Sequence, residues 1–139
     1  MKTFYIVLIC VLYAVTHTNA NMDKVLATLK LCNEKFPVAP EEFAKFLYDK
    51  HAEDHFKCHV KCIMEMQETF KDGEFKDDIF LKHIMEVPFI KNHTEEIQTV
   101  INECKKLSNT DDCDTAFNIA VCILDNSPAL SEATLEHFL

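Results

Sequence analysis

The 139-residue sequence contains no arginine and no tryptophan, and Gly73 is its single glycine. One glycine cannot build a dinucleotide-binding fingerprint, a phosphate-binding loop or a nucleophile elbow, because each needs glycines where the backbone turns sharply or approaches a ligand. Without arginine there is no planar fork for phosphates or guanine edges, and 23 acidic residues outnumber 14 basic ones, which gives a net charge of -9. We therefore expect no nucleotide fold, no nucleic-acid partner and no affinity for anionic membranes.

The first twenty residues have the features of a secretory signal peptide. Lys2 supplies a positive start, residues 4–15 are an almost unbroken apolar run, and residues 18–20 offer small side chains for cleavage. A membrane anchor is the alternative, but the run is shorter than the ~20 residues that span a bilayer. We predict a signal peptide at 1–20, no stable membrane insertion, and a single secreted, extracellular domain at 21–139 with a tail from about residue 128.

Six cysteines remain once Cys10 is removed with the signal peptide. An even number in a protein bound for an oxidising compartment predicts three disulfides, and sequence alone leaves 15 pairings open. Zinc is the rival, because His51 and His55 lie close to Cys58 and Cys62, but the C-x2-C spacing of structural zinc sites is absent. We expect no metal and no cofactor.

Helix signals run through the mature sequence, and strand alternation is almost absent. Prolines and the turn dipeptide Asp72-Gly73 separate apolar stripes at helical spacing. Asp77 or Asp78 can cap the fourth predicted helix, and Asp111 or Asp112 can cap the sixth. We predict an all-α bundle of about six helices, near residues 22–32, 41–48, 54–70, 79–85, 94–107 and 112–125.

The last predicted helix should be central. Cys113 and Cys122 are nine positions apart, which places them on opposite sides of a helix at ~100° per residue, so two disulfides would hold this helix from both flanks. Its apolar residues cover most of its circumference, which is typical of a buried helix. Cys58 and Cys62 point the same way from the third predicted helix, so each should reach a different helix.

The cysteine spacing C-x25-C-x3-C-x41-C-x8-C-x8-C, from Cys32 to Cys122, is the most specific pattern in the chain. Four segments accompany it: Pro-Glu-Glu-Phe at 40–43, Lys-Cys-His-Val-Lys-Cys at 57–62, Asp-Gly-Glu-Phe at 72–75 and Asp-Cys-Asp-Thr-Ala-Phe at 112–117. Behind a signal peptide, this closely resembles the insect odorant-binding proteins, the pheromone- and general-odorant-binding family, over essentially the whole mature chain. The resemblance implies the interlocked disulfides Cys32–Cys62, Cys58–Cys113 and Cys104–Cys122.

The resemblance also implies a function. An internal cavity would hold one small hydrophobic molecule, such as an odorant, a pheromone or a similar semiochemical, and carry it through aqueous lymph. An olfactory receptor is then a candidate partner, the protein is a monomer or homodimer, and it is not an enzyme. Eleven phenylalanines and five methionines suit an adaptable lining, although ordinary core packing is the alternative for each residue. The predicted wall consists of Leu26, Leu29, Phe56, Val60, Ile63, Ile79, Ile84, Val100, Phe117, Val121 and Leu124.

One polar residue falls on the predicted wall. On a helical wheel, His59 lies near the middle of the apolar face, close to Phe56, Met66 and Phe70. It is either a core group with a backbone partner or a contact for a ligand hydroxyl or carbonyl. In the second case, protonation in mildly acidic surroundings would destabilise the cavity and favour ligand release.

Two surface features carry further predictions. The tripeptide Asn92-His93-Thr94 is an N-glycosylation sequon, which predicts a surface position and fits secretion. The tail from Pro128 presents apolar residues that either cover the cavity as a lid or belong to a frayed terminus. In the lid reading, Leu135 and Phe138 join the ligand contacts.

Other secreted helical proteins fit less well. A phospholipase needs a glycine-rich calcium loop and a catalytic histidine beside adjacent cysteines, and a plant-type lipid-transfer protein needs eight cysteines with a Cys-Cys pair. The open alternatives share the fold: a non-olfactory carrier or scavenger, or a secreted signalling protein. Tissue of expression separates these from an olfactory carrier.

Overall fold

Five α-helices and a short hairpin make up most of the described chain. The structure, a computed structural model, describes the backbone of residues 22–42, 45, 52–86 and 90–130, with side chains from residue 27. In chain order the elements are α1 (Met22–Lys35), α2 (Asp54–Met66), β1 (Phe70–Lys71), β2 (Glu74–Phe75), α3 (Asp77–Met85), a 3-10 turn (Lys91–His93), α4 (Thr94–Cys104) and α5 (Asp112–Asn126). Residues 40–42, 45 and 128–130 are also helical. The predicted all-α bundle is confirmed, and the predicted signal peptide lies outside the described residues.

Three disulfides interlock the helices. Cys32–Cys62 joins α1 to α2, Cys58–Cys113 joins α2 to α5, and Cys104–Cys122 joins α4 to α5. Helices α2 and α5 therefore carry two bridges each, to different helices. They also make the most extensive contact between helices of the described chain. The predicted pairing and the central position of the last helix are both confirmed.

Helix α5 begins and packs as its sequence indicates. The Asp111 side chain accepts a hydrogen bond from the backbone N–H of Asp114 at 3.0 Å, which caps the helix. Beyond this cap, one side of α5 faces α2 and another faces α3 and α4. The helix is therefore buried from two directions, through Ala116, Phe117 and Leu124 on the first side and Ile119 and Ile123 on the second.

The C-terminal end of α2 differs from the prediction. The helix ends at Met66 instead of continuing to Phe70. The backbone N–H groups of Glu68 and Thr69 donate to carbonyl oxygens of the last turn, at 3.0 and 2.9 Å, in the pattern of a Schellman cap. Met66 is consequently 40% exposed, and its predicted place on the apolar face is wrong.

A hairpin that the sequence analysis did not predict follows this cap. Asp72 and Gly73 have φ values of 54° and 78°, which a two-residue type I′ turn requires. The turn pairs Phe70 with Phe75 across the two strands. A Cβ atom at position 73 would lie 3.3 Å from the Asp112 carboxylate, so glycine also allows the turn to approach the start of α5 closely.

Two other helix limits were predicted wrongly. Helix α4 ends at Cys104, and the backbone N–H of Leu107 donates to the Cys104 carbonyl at 3.1 Å. This tight turn takes Leu107 off the apolar stripe and leaves it 40% exposed. The N-cap of α3 is Lys76, so Asp77 and Asp78 lie in the first turn, where negative charge favours the helix dipole.

Glu68 offers a test of the cap geometry. Its φ of 64° is left-handed, a conformation that costs a non-glycine residue about 1 kcal/mol or more. We expect Glu68→Gly to raise the free energy of unfolding by roughly 0.5–1 kcal/mol in urea denaturation. The matched change Glu65→Gly, inside α2, should lower it by about 1 kcal/mol. Equal destabilisation by both substitutions would contradict the assigned cap.

Candidate functional site

An apolar cluster lies between α2 and α5, and it contains five of the predicted wall residues. The rings of Phe56 and Phe117 meet edge to face, with centroids 6.1 Å apart and planes 83° apart. Such pairs favour this geometry because the positive ring edge meets the negative ring face. We call this group the α2–α5 cluster: Ala52, Phe56, Val60, Met64, Phe70, Ala116, Phe117 and Leu124 are buried, and Val121 packs against them.

The structure places the other predicted wall residues elsewhere. Leu29 and Ile63 pack around the Cys32–Cys62 bridge, between α1 and α2. Ile84 and Val100 belong to a cluster between α3, α4 and α5, and Ile79 is half-buried. The structure therefore does not gather the predicted wall into one surface. The side chains of Leu26, Leu135 and Phe138 lie outside the described residues.

A surface cleft opens beside the α2–α5 cluster. The space inside it is about 30 Å³, and it is lined by Glu42, Lys45, Ala52, Glu53 and Phe56. Ala52 and Phe56 are the apolar part of this lining, and both also belong to the α2–α5 cluster. The cleft thus has a charged rim and an apolar base, a combination that suits a ligand with one polar end.

The rim of the cleft is held by polar contacts. The backbone N–H of Ala39 donates to one oxygen of the Glu42 carboxylate at 3.3 Å, and the other oxygen is paired with His55 Nε2. His55 Nδ1 lies 3.8 Å from the Glu53 carboxylate. His55 therefore links Glu42, which precedes α2 in the chain, to the first turn of α2.

A charged pair supports the cluster on the side of α5. Lys57 Nζ donates to Asp114 Oδ1 at 2.8 Å and lies 6.0 Å from the centre of the Phe117 ring. Both charged side chains are about one-quarter to one-third exposed, so the pair is partly shielded from solvent. A cation at this distance from a ring face is attracted to it, so Lys57 helps to fix the Phe117 ring.

His59 occupies the position between α1 and α2 rather than the wall of the α2–α5 cluster. Its side chain is 4% exposed, and its Nδ1–H donates to the Phe36 carbonyl at 2.9 Å. Burial is the main cause that lowers the His59 pKa, and it outweighs the hydrogen bonds to the Phe36 and Cys32 carbonyls, which raise it. This geometry matches the predicted alternative in which His59 is a core residue with a backbone hydrogen-bond partner. Contact between His59 and a ligand stays a prediction.

The lowered His59 pKa predicts a loss of stability in acid. Unfolded histidine titrates near pH 6.5, so below that pH the unfolded state binds a proton that the folded state resists. The stability that neutral His59 contributes is fully present above about pH 6.5. It declines as the pH falls, by at most about 1.4 kcal/mol per pH unit. Urea titrations at pH 7.5 and 5.5 measure this effect. We expect the free energy of unfolding to fall more between these pH values in wild type than in His59→Asn. The asparagine keeps a hydrogen-bond donor near the position of Nδ1 but does not titrate. Equal slopes would contradict this role for His59.

Sequence reasoning missed several residues around the site. Ala52, Met64 and Phe70 are buried in the α2–α5 cluster but were absent from the predicted wall. Met64 lies four residues after Val60 in α2, so helical spacing was the available signal for this residue. The charged rim had no such signal, because Lys45 and Glu53 come together only through the fold.

The described residues provide no obvious metal centre and no membrane span. Within the described part of the chain, no three His, Cys, Asp or Glu side chains are grouped to hold a metal ion. His51 of the predicted histidine ladder lies outside that part. Among the helices described, none is both long and apolar enough to cross a bilayer.

The fold and the site together define a class of small α-helical proteins with six cysteines, three interlocked disulfides and an apolar centre. The sequence matches the PBP/GOBP family over residues 14–126, which is most of the chain. The protein therefore belongs to this family of pheromone- and general-odorant-binding proteins, as the cysteine spacing indicated.

Individual relatives are similar at low identity. General odorant-binding protein 19a of Drosophila melanogaster is 25% identical over 138 aligned residues, which cover 88% of this chain and 94% of the relative. General odorant-binding protein 56a of the same species is 25% identical over 100 residues, which cover 70% of this chain and 69% of the relative. A solved structure, the fatty acid binding protein OBP56a from the oral disk of the blowfly Phormia regina, has a TM-score of 0.58 at 24% identity and covers 87% of this chain and 96% of its own.

Proposed function

We propose that this protein is a secreted, non-enzymatic carrier that binds one small hydrophobic molecule beside the α2–α5 cluster and keeps it in aqueous extracellular fluid. The observation that carries the proposal is the cleft, whose apolar base is continuous with that cluster. Membership of the PBP/GOBP family supports the same function. Burial of a hydrophobic ligand is favourable without any chemistry, because it removes apolar surface from water.

The proposed ligand has an apolar part and one polar end. The rim offers carboxylates and an ammonium group, while the base is formed by Ala52 and Phe56. The blowfly relative is described as a fatty acid binding protein, so fatty acids are a sensible first class to test beside alcohols, aldehydes and esters. Burying roughly 300 Å² of apolar ligand surface contributes about 7 kcal/mol to binding, from which the entropy cost of association is subtracted.

The biological setting that we propose is extracellular. The sequence features at residues 1–20 support secretion, and three disulfides suit an oxidising compartment. Asn92 is exposed in the 3-10 turn, which supports its use as a glycosylation site. A monomer or homodimer that delivers its ligand to an olfactory receptor is our first proposal, and a carrier or signalling role in another tissue is the alternative. Expression restricted to the antennae would favour the first.

Displacement of an environment-sensitive apolar fluorophore tests the carrier function. We expect the folded protein to bind the fluorophore at a single site, and fatty acids or long-chain alcohols to displace it at micromolar concentrations. Protein with its disulfides reduced and alkylated is the control and should bind far less. A folded protein that binds neither the fluorophore nor any member of the ligand series would contradict the proposed function.

A further inference from the structure

Phe56 lies between the cleft and the rest of the α2–α5 cluster. The residue is 2% exposed, yet it lines the cleft on one side and contacts Phe117 on the other. Ala52, the other apolar residue of the lining, is too small to form a partition. The Phe56 ring is therefore the main apolar barrier between the space of the cleft and the other residues of the cluster.

The cleft alone is small for a hydrophobic ligand. The space inside it, about 30 Å³, is far below the ~300–1,000 Å³ of typical small-molecule pockets. Three of its five lining residues, Glu42, Lys45 and Glu53, are charged. A polar head fits among these groups, because together they donate and accept hydrogen bonds. An apolar tail does not fit there and has to continue toward the cluster.

The ring that must give way to such a tail is Phe56 rather than Phe117. The Lys57 ammonium, which is paired with Asp114, lies over the Phe117 ring and holds it by a cation–π contact. Phe56 lies in the first turn of α2, whose N-cap residue Glu53 makes no side-chain capping hydrogen bond. The first turn of a helix without a side-chain cap opens more easily than its interior.

We propose that Phe56 determines the chain length of the ligand: a linear amphipathic molecule places its oxygen-bearing head in the cleft and its tail toward the α2–α5 cluster, and the Phe56 ring sets how far that tail can extend. This inference rests on the proposed carrier function and adds a specificity-determining residue to it.

Straight-chain primary alcohols of increasing length, from about 8 to 16 carbons, provide the test. Each methylene that becomes buried should tighten binding about fourfold. In wild type, the dissociation constant should fall with chain length up to a limit and then become constant. In Phe56→Ala, the space of the ring is open, so the fall should continue for roughly three more carbons, which gives roughly 50-fold tighter binding of the longest alcohols.

Phe80→Ala is the matched control, because Phe80 is also buried but lies in the cluster between α3, α4 and α5. The Phe80→Ala variant should lose a similar amount of stability, but the alcohol chain length at which binding stops tightening should not change. Phe56→Leu, which removes less volume, should move the limit by fewer carbons and serves if Phe56→Ala does not fold. An unchanged limit in a folded Phe56 variant, or equal shifts in the Phe56 and Phe80 variants, would overturn the inference. Failure of wild type to bind any of the alcohols would instead contradict the carrier function for this ligand class.

Discussion

The double variant Cys58→Ser/Cys113→Ser is expected to lose about 4 kcal/mol of stability, because its bridge closes a loop with a sequence separation of 55. The bridge joins α2 to α5, the two helices that make the most extensive contact. Its removal restores conformational freedom to the unfolded chain. Urea denaturation under non-reducing conditions measures the loss, and replacing both cysteines avoids a free thiol.

The bridge between α4 and α5 is the internal comparison. Cys104 and Cys122 are separated by 18 residues, so the same relation gives a loss of about 3 kcal/mol for Cys104→Ser/Cys122→Ser. Both variants should retain helical circular dichroism at low temperature. A larger loss for the shorter loop would show that packing at the bridge, rather than loop length, controls its contribution.

Phe117→Ala is expected to lower the free energy of unfolding by about 3–5 kcal/mol, since a buried aromatic side chain leaves a cavity that the surroundings only partly fill. Phe117 lies where α5 meets α2, and it contacts the Phe56 ring and the Lys57 ammonium. The substitution therefore removes packing, an edge-to-face contact and a cation–π contact together.

The exposed residue Leu107 gives the control for Phe117. Leu107→Ala should change stability by less than about 0.5 kcal/mol, because this side chain is largely in solvent. A double-mutant cycle with Phe56→Ala should yield a coupling of about 0.5–1.5 kcal/mol between the two rings. A Phe117→Ala variant as stable as Leu107→Ala would contradict the assigned packing of α5.

Features that depend on local sequence were predicted well. The cap at Asp111 and the burial of α5 follow from a capping side chain and from an apolar circumference, and both are present. The disulfide pairing is different, because periodicity showed which cysteines should reach different partners, Cys58 from Cys62 and Cys113 from Cys122, but not the pairs themselves. The resemblance to a family supplied the pairing, and the structure confirms it.

Features that depend on positive φ values or on tertiary contacts were not predicted. The end of α2 relies on Glu68 at φ 64°, and a glutamate gives no signal for this conformation. Two-residue strands are too short for alternation to appear, so the hairpin around Gly73 was recognised only as a turn. Helical spacing placed Ile63 and Ile84 on apolar faces, but packing between helices decided that they join different clusters.

Native mass spectrometry of the full chain, expressed with its N-terminal segment and collected from the medium of insect cells, tests the central claim most directly. We predict that the mature protein gains the mass of six hydrogens when it is reduced, as three disulfides require. After incubation with fatty acids and long-chain alcohols, we predict a one-to-one complex that dissociates on gentle activation and releases the ligand unchanged. A folded, oxidised protein that forms no complex with these compounds, or that converts them to products, would contradict the account.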